Sequence, residues 1–342
     1  MAYDGVVEDF AACVRGQRPG RIPVFALGLE FDLAVTGVTC AESRLDVDKT
    51  VRCIAESVER FGYDWAVVFP DDYVEFEPLG LVMRNDPDTP AIPARYLTMD
   101  ADTLRGFRTP DARTDMRLPI HLEMIRKVKE RLGDTVCVVG RIAAPFSTLA
   151  LVYGMDVFLT NLVLDPALVH DNLRFFVDHQ IAFGNAQFAA GADLLWLGDC
   201  VAASKFISVD HFEEFAFGPA AEVASALADA RHHIVYHASE DSLDHLALHA
   251  QLPVSALNLG EGVRIGAVRE RIGDGMCLMG NFDPILLRDG SPERIARATE
   301  RMIEEGRCAG GYVFNTAEGV TPDTPPENVL AMMAAARSRE EP

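Results

Sequence analysis

Eight times along this chain a short apolar run stops at a polar turn, and a helical pattern follows. The last repeat is the clearest. Gly310 and Gly311 lead into Tyr312-Val313-Phe314, an aromatic and β-branched run that reads as a buried strand. The run ends at Asn315 and a Gly-bounded turn with one acid, Glu318. Thr324 then reads as a helix N-cap, with Pro325 in the first turn and Glu327 placed to close a capping box onto Thr324. This unit therefore delivers a carboxylate at the carboxyl end of a strand.

The other repeats follow the same plan. Residues 1–20 read as an amphipathic helix that precedes a first strand at 22–28. Further strands are expected at 65–69, 136–140, 192–197, 233–236, 254–259 and 276–280, with the last at 311–315. Helical spacing fills 48–61, 118–132, 146–188, 209–230, 242–250 and 325–337, and Ser291-Pro292-Glu293 opens one more helix. Residues 73–117 form a long irregular stretch, the length at which a loop usually serves function. Strands alternating with helices mean a parallel sheet. Eight such units predict an α/β fold of the (β/α)8 TIM-barrel type with an N-terminal helical extension, and a single domain over 1–342. An open doubly wound sheet is the competing architecture, but no Gly-x-Gly-x-x-Gly follows any strand, which disfavours its dinucleotide-binding version.

Charge and cysteine usage narrow the partners. The net charge of −21 argues against nucleic acid and anionic membrane, which need clustered Lys and Arg. No uncharged apolar run reaches the roughly 18 residues of a membrane span. The seven cysteines, at 13, 40, 53, 137, 200, 277 and 308, have no C-x-x-C spacing and fit reduced thiols in a cytoplasmic protein.

In a barrel, chemistry gathers at the carboxyl ends of the strands. Those ends carry Glu30, Asp71, Asp72, Arg141, Asp199, Cys200, His237, Asn258, Glu261, Asn281, Asp283, Asn315 and Glu318. Loops are polar in any protein, so each residue alone is as much a bystander as a participant. His245 and His249 are spaced i, i+4 and share one helix face, a spacing that can hold a metal. Their helix is expected outside the barrel, where surface or packing roles are the default.

Gly280-Asn281-Phe282-Asp283-Pro284, the run from Asn315 to Pro326, and Ala144-Pro145-Phe146 together resemble the uroporphyrinogen decarboxylase superfamily, across nearly the whole chain. That resemblance implies a (β/α)8 barrel and one of two chemistries. The decarboxylase branch holds pyrrole nitrogens with an Asp, and Phe69-Pro70-Asp71 resembles its motif. That branch also grips substrate carboxylates with an N-terminal Arg-rich motif, where this chain has Val24 to Glu30 and no Arg, and its final-turn His is here Glu318.

The second branch, corrinoid-dependent methyltransferases of the methylcobalamin:coenzyme M type, is matched by Val74-Glu75-Phe76-Glu77-Pro78-Leu79-Gly80. Its zinc-binding His-x-Cys corresponds to His237-Ala238-Ser239, and its final Cys to Glu318. Asp71, matched to the decarboxylase branch, and His237 and Glu318, at the positions of the methyltransferase zinc ligands, are the expected catalytic groups. The strand-end residues Glu30, Arg141, Asp199, Asn281 and Asn315 are expected substrate contacts, as is Tyr153, near where the decarboxylase branch keeps a substrate-contacting Tyr. A zinc ion would take His237, Cys200 and Glu318. In the metal-free alternative, Glu318 and His237 hydrogen-bond a polar substrate directly. The implied partners are a small-molecule substrate, a corrinoid (cobalamin) protein and a second copy in a homodimer.

Overall fold

A computed structural model describes residues 3–68, 71–84, 86–307 and 311–338. Its centre is one curled sheet of seven parallel strands paired in chain order. These are β1 (Trp65–Val67), β2 (Cys137–Ala143), β3 (Leu194–Gly198), β4 (His233–His237), β5 (Ala256–Asn258), β6 (Cys277–Met279) and β7 (Tyr312–Val313). Helices fill the crossovers, as parallel pairing requires. The strands are mostly apolar because both faces of the sheet are covered, with Arg141, His233, His237 and Asn258 as their polar members.

The first expected strand, 22–28, is reduced to a single bridge between Val24 and Phe314. Phe25 N donates to Phe314 O at 2.8 Å, Phe314 N donates to Pro23 O at 3.1 Å, and Asp64 N donates to Val24 O at 3.0 Å. Two further donors of this segment go to side chains, and Gly28 N turns back to Ala26 O at 2.9 Å. Val24 N donates to Asp64 Oδ2 at 2.8 Å, Leu27 N donates to Thr316 Oγ1 at 3.1 Å, and Pro23 has no N–H to give. A regular ladder therefore does not form there. The outer part of the second expected strand, Phe69 and Pro70, lies outside the described residues, as do Cys308 and Gly310.

The N-terminal helix, Val6–Val14, covers the amino end of the sheet. Phe10 packs against Phe25 at 5.9 Å and against His233 at 5.4 Å. The fit is close enough that a Cβ on Gly311 would lie 1.6 Å from the carbonyl oxygen of Cys13. The helices at Val47–Phe61 and Leu118–Leu132 fall where the spacing predicts. The expected 146–188 helix is three pieces, Pro145–Tyr153, Met155–Leu164 and Pro166–Ala190. The 73–117 stretch holds a hairpin, Val82–Arg84 with Ile92–Arg95, and a short helix, Ala101–Gly106.

The capping box expected at Thr324 does not form. The closing helix, Pro326–Arg337, starts from Pro325 without a side-chain cap, and Thr324 Oγ1 sits 2.9 Å from Thr321 Oγ1 instead. The helix begins one residue late for that cap, and Pro325 at the cap position has no side-chain acceptor. No single helix among the described residues is long and apolar enough to cross a membrane, and Pro145–Tyr153 with Met155–Leu164 qualifies only as a pair bent by 118°.

Inside the curl, aromatic rings stack in layers. Trp65 lies 4.5 Å from Phe25 and 5.8 Å from Trp196, and Trp196 lies 4.7 Å from His237. A second apolar core, built on Phe76, Phe146, Tyr153, Phe176 and Phe212, sits under the long 73–117 stretch.

Candidate active site

The polar groups collect at the carboxyl end of β4, β5 and β7. Register sets His237 beside Gly198 on one side and Asn258 on the other. In a parallel pair, registered residues face the same way, so both point where His237 points. Asn258 Nδ2 lies 3.1 Å from His237 Nδ1 and donates to Ala317 O at 3.0 Å. Asn315 Nδ2 donates to Asn258 Oδ1 at 2.9 Å. These two partners fix the Asn258 amide with its NH2 toward Nδ1. In its neutral form His237 therefore accepts at Nδ1 and carries its proton on Nε2.

That Nε2–H faces the open mouth. Glu318 Oε2 is 3.4 Å away and Ser239 Oγ is 3.3 Å away. Ser239 Oγ in turn donates toward Cys200 Sγ at 3.5 Å, and Cys200 is exposed. Ser239 holds this position with a left-handed φ of 53°. Burial alone would lower the His237 pKa, but Cys200 and Glu318 outweigh it and push the group up to about 10. Burial would raise the Glu318 carboxyl, but its bond to His237 keeps it below the usual value.

The carboxyl ends of β1 and β2 carry an acidic group at the same end of the sheet, linked to this cluster through Arg141 and Gly198. Asp71 accepts from Arg117 Nη2 at 2.8 Å and from Tyr73 N at 2.8 Å. Arg117 also forks onto Glu77, with Nη2 at 2.6 Å and Nε at 2.9 Å. Arg141 pairs with Asp72 at 2.5 Å, and its guanidinium lies over Gly198, 3.7 Å from where a Cβ would start. Gln187 pins the Arg141 peptide, accepting from its N at 2.9 Å and donating to its O at 2.8 Å. Glu30, Asp71 and Asp72 line a cleft of about 140 Å³ together with Cys40 and Val67.

The family model for uroporphyrinogen decarboxylase matches residues 7–339. The chain belongs to the uroporphyrinogen decarboxylase family. Among its relatives, the uroporphyrinogen decarboxylase of Methylococcus capsulatus is 29% identical over 82% of this chain and 81% of that protein. The methylated-thiol–coenzyme M methyltransferase of Methanosarcina mazei is 26% identical over 89% of this chain and 81% of that one. A solved methyltransferase from Methanosarcina mazei has the same fold, with a TM-score of 0.84 at 21% identity, covering 98% of this chain and 99% of that chain.

Within this family member, His237, Glu318, Cys200 and Asn315 come together, joined by Asn258 and Ser239. Asn258 is one of the strand-end candidates, and Ser239 stands where the resembling branch has the Cys of its His-x-Cys. Asp71 and Glu30 lie at the same end of the sheet, in the acidic cleft beside Arg141. Three expected substrate contacts are occupied elsewhere. Asp199 is fully buried, accepts from Ser147 Oγ at 2.7 Å and Tyr236 Oη at 2.8 Å, and is raised by burial to about 6. Tyr153 donates to Asn172 Oδ1 at 2.6 Å inside the second core. Asn281 spends its amide on Gly260 O at 2.5 Å and Val263 O at 2.8 Å.

Proposed function

We propose that this chain is a corrinoid-dependent type of methyltransferase. It moves a methyl group between a corrinoid carried by a partner protein and a small heteroatom acceptor or donor. The carboxyl mouth of a closed (β/α)8 barrel, made by residues 1–342 as one domain, would hold the reaction. Pro23–Ala26 would be the eighth stave, a reading supported by its two backbone bonds with Phe314 and one with Asp64. Six described cysteines are free, in keeping with a cytoplasmic setting.

The observation that carries the choice is the charge of the rim. Glu30, Asp71 and Asp72 line the cleft, and the arginines there, Arg117 and Arg141, are already paired with Asp71, Glu77 and Asp72. Eight substrate carboxylates would meet like charge. A corrinoid rim of neutral amides would not.

His237 presents an Nε2–H to the mouth whether the ring is neutral or charged. When a methyl group leaves a donor oxygen, sulfur or nitrogen, that atom gains a pair of electrons and needs a proton. His237 Nε2–H hydrogen-bonds that atom as its electron pair forms, the proton it takes up coming from solvent, and Glu318 holds the ring. Asn258 and Asn315 set the tautomer. The acidic cleft next to Arg141 would seat the small partner.

The mouth does not fit a zinc ion. The two positions that carry thiolates in the resembling branch are Ser239 and Glu318. The donor atoms of His237, Cys200 and Glu318 also do not all come within 4.8 Å of one another. No step here runs through a metal.

The test is methyl transfer from methylcobalamin to thiol and phenol acceptors, with His237→Gln and Glu318→Gln as controls. Turnover that both variants lose supports the reading. Carbon dioxide release from a porphyrinogen carboxylate, with no methyl transfer, would replace it by cofactor-free decarboxylation.

A further inference from the structure

His245 and His249, expected on an outer surface, are 3% and 1% exposed. Together with Glu240, 1% exposed, they form the one group of three potential metal ligands among the described residues whose donor atoms all lie within 4.8 Å of one another. His245 Nδ1 and His249 Nε2 are both buried with no hydrogen-bond partner. A buried polar atom left unpaired is costly, so two of them aimed at one carboxylate call for a ligand.

The spacing agrees. His245 Nδ1 is 3.4 Å from Glu240 Oε2, beyond the usual 2.7–3.2 Å for N–H···O. Bonds of about 2.0–2.1 Å to a tetrahedral metal place neighbouring donors roughly 3.3 Å apart.

The carboxylate is already oriented. Glu240 Oε1 accepts from Ser204 Oγ at 2.7 Å, Asp241 N at 2.9 Å and Ser242 N at 2.7 Å. Oε2 accepts only from Ser204 N, at 2.7 Å, which leaves a lone pair facing the histidines. Such outer hydrogen bonds fix a ligating carboxylate. The His249 ring is wedged between Phe212, 4.7 Å away, and Tyr236, 5.1 Å away.

We propose that Glu240, His245 and His249 form a buried site for one divalent transition-metal ion of the zinc class, separate from the mouth. Two imidazoles select such an ion over magnesium or calcium. The ion would tie the helix Leu243–His249 to the turn that follows β4. That turn carries Ser239, which contacts His237 and Cys200, so the site would buttress the mouth without touching substrate. The site does not depend on the methyl-transfer reading.

The experiment is a cobalt(II) titration of chelator-treated full-length protein, read by visible absorption, with zinc content measured in parallel. Wild type is expected to bind one equivalent, with tetrahedral nitrogen/oxygen bands and no thiolate charge-transfer band. Cys200→Ser and Glu318→Gln should bind equally well, while His245→Gln and His249→Gln should bind at least tenfold more weakly. Absence of stoichiometric binding overturns the proposal. So does a thiolate band that vanishes in Cys200→Ser. If a histidine variant does not fold, an anomalous-scattering map of zinc-soaked wild-type crystals decides. A peak among Glu240, His245 and His249 supports the site, and its absence overturns it.

Discussion

Replacing Glu318 by Gln tests whether His237 is held by charge. The shape of the side chain is kept and one anion 3.4 Å from Nε2 is removed. The Glu318 side chain is 37% exposed, so water screens the pair. At 3.4 Å, unit charges attract by about 1 kcal/mol in bulk water and about 5 kcal/mol at an effective dielectric of about 20. With about 1.36 kcal/mol per pKa unit, the substitution should lower the His237 pKa by about one to three units, nearer one because of screening. The starting point is about 10, against an ordinary value of 6.5.

The assay is nitrogen-detected NMR titration of the histidine rings in chelator-treated protein, with His237→Gln assigning the signal. Stability gives an independent readout. A folded-state pKa above the unfolded value adds stability that is fully present below about pH 6.5 and is lost as pH rises through about 10. The whole shift is worth on the order of 5 kcal/mol, so urea unfolding of wild type should weaken between pH 7 and 10 by more than that of Glu318→Gln. A wild-type His237 that titrates at or below 6.5 refutes the reasoning. So does a variant whose pKa moves by less than about 0.3 units or moves upward.

Other substitutions probe the supports. Asn258→Leu strands Asn315 Nδ2 and Ala317 O, both buried, and should cost about 3–5 kcal/mol in urea unfolding. Arg117→Met leaves Asp71 and Glu77 without their cation in a mostly buried place and should cost about 3–5 kcal/mol in urea unfolding at pH 7. A loss under about 1 kcal/mol would show that the ion pairs add little. Gly311→Ala drives a methyl group into the Cys13 carbonyl and should lower Tm by more than about 5 °C in calorimetry, whereas an unchanged Tm would mean the N-terminal helix is not seated as described.

Glu240 and the two histidines show where sequence reading stops. Their i, i+4 spacing was visible, but helical periodicity tells which face two residues share and nothing about what covers it. The cover is Phe212, from a π-helical turn at Phe212–Phe217, and Tyr236 on β4. Asp199 errs the other way. It follows Gly198, the residue registered with His237, and because successive side chains alternate faces it turns to Ser147 and Tyr236 instead.

The sequence by itself determined the parallel α/β alternation, the positions of the strands within a few residues, and the polar character of their carboxyl ends. Those follow from local apolar runs and turn residues. Only the tertiary structure decided that His237 meets Asn258, Asn315 and Glu318, and that Asp71 is tied to Arg117. Those partners are tens of residues apart in the chain. Sheet register, curl and the packing of rings such as Trp196 choose among many polar neighbours that local pattern leaves equivalent.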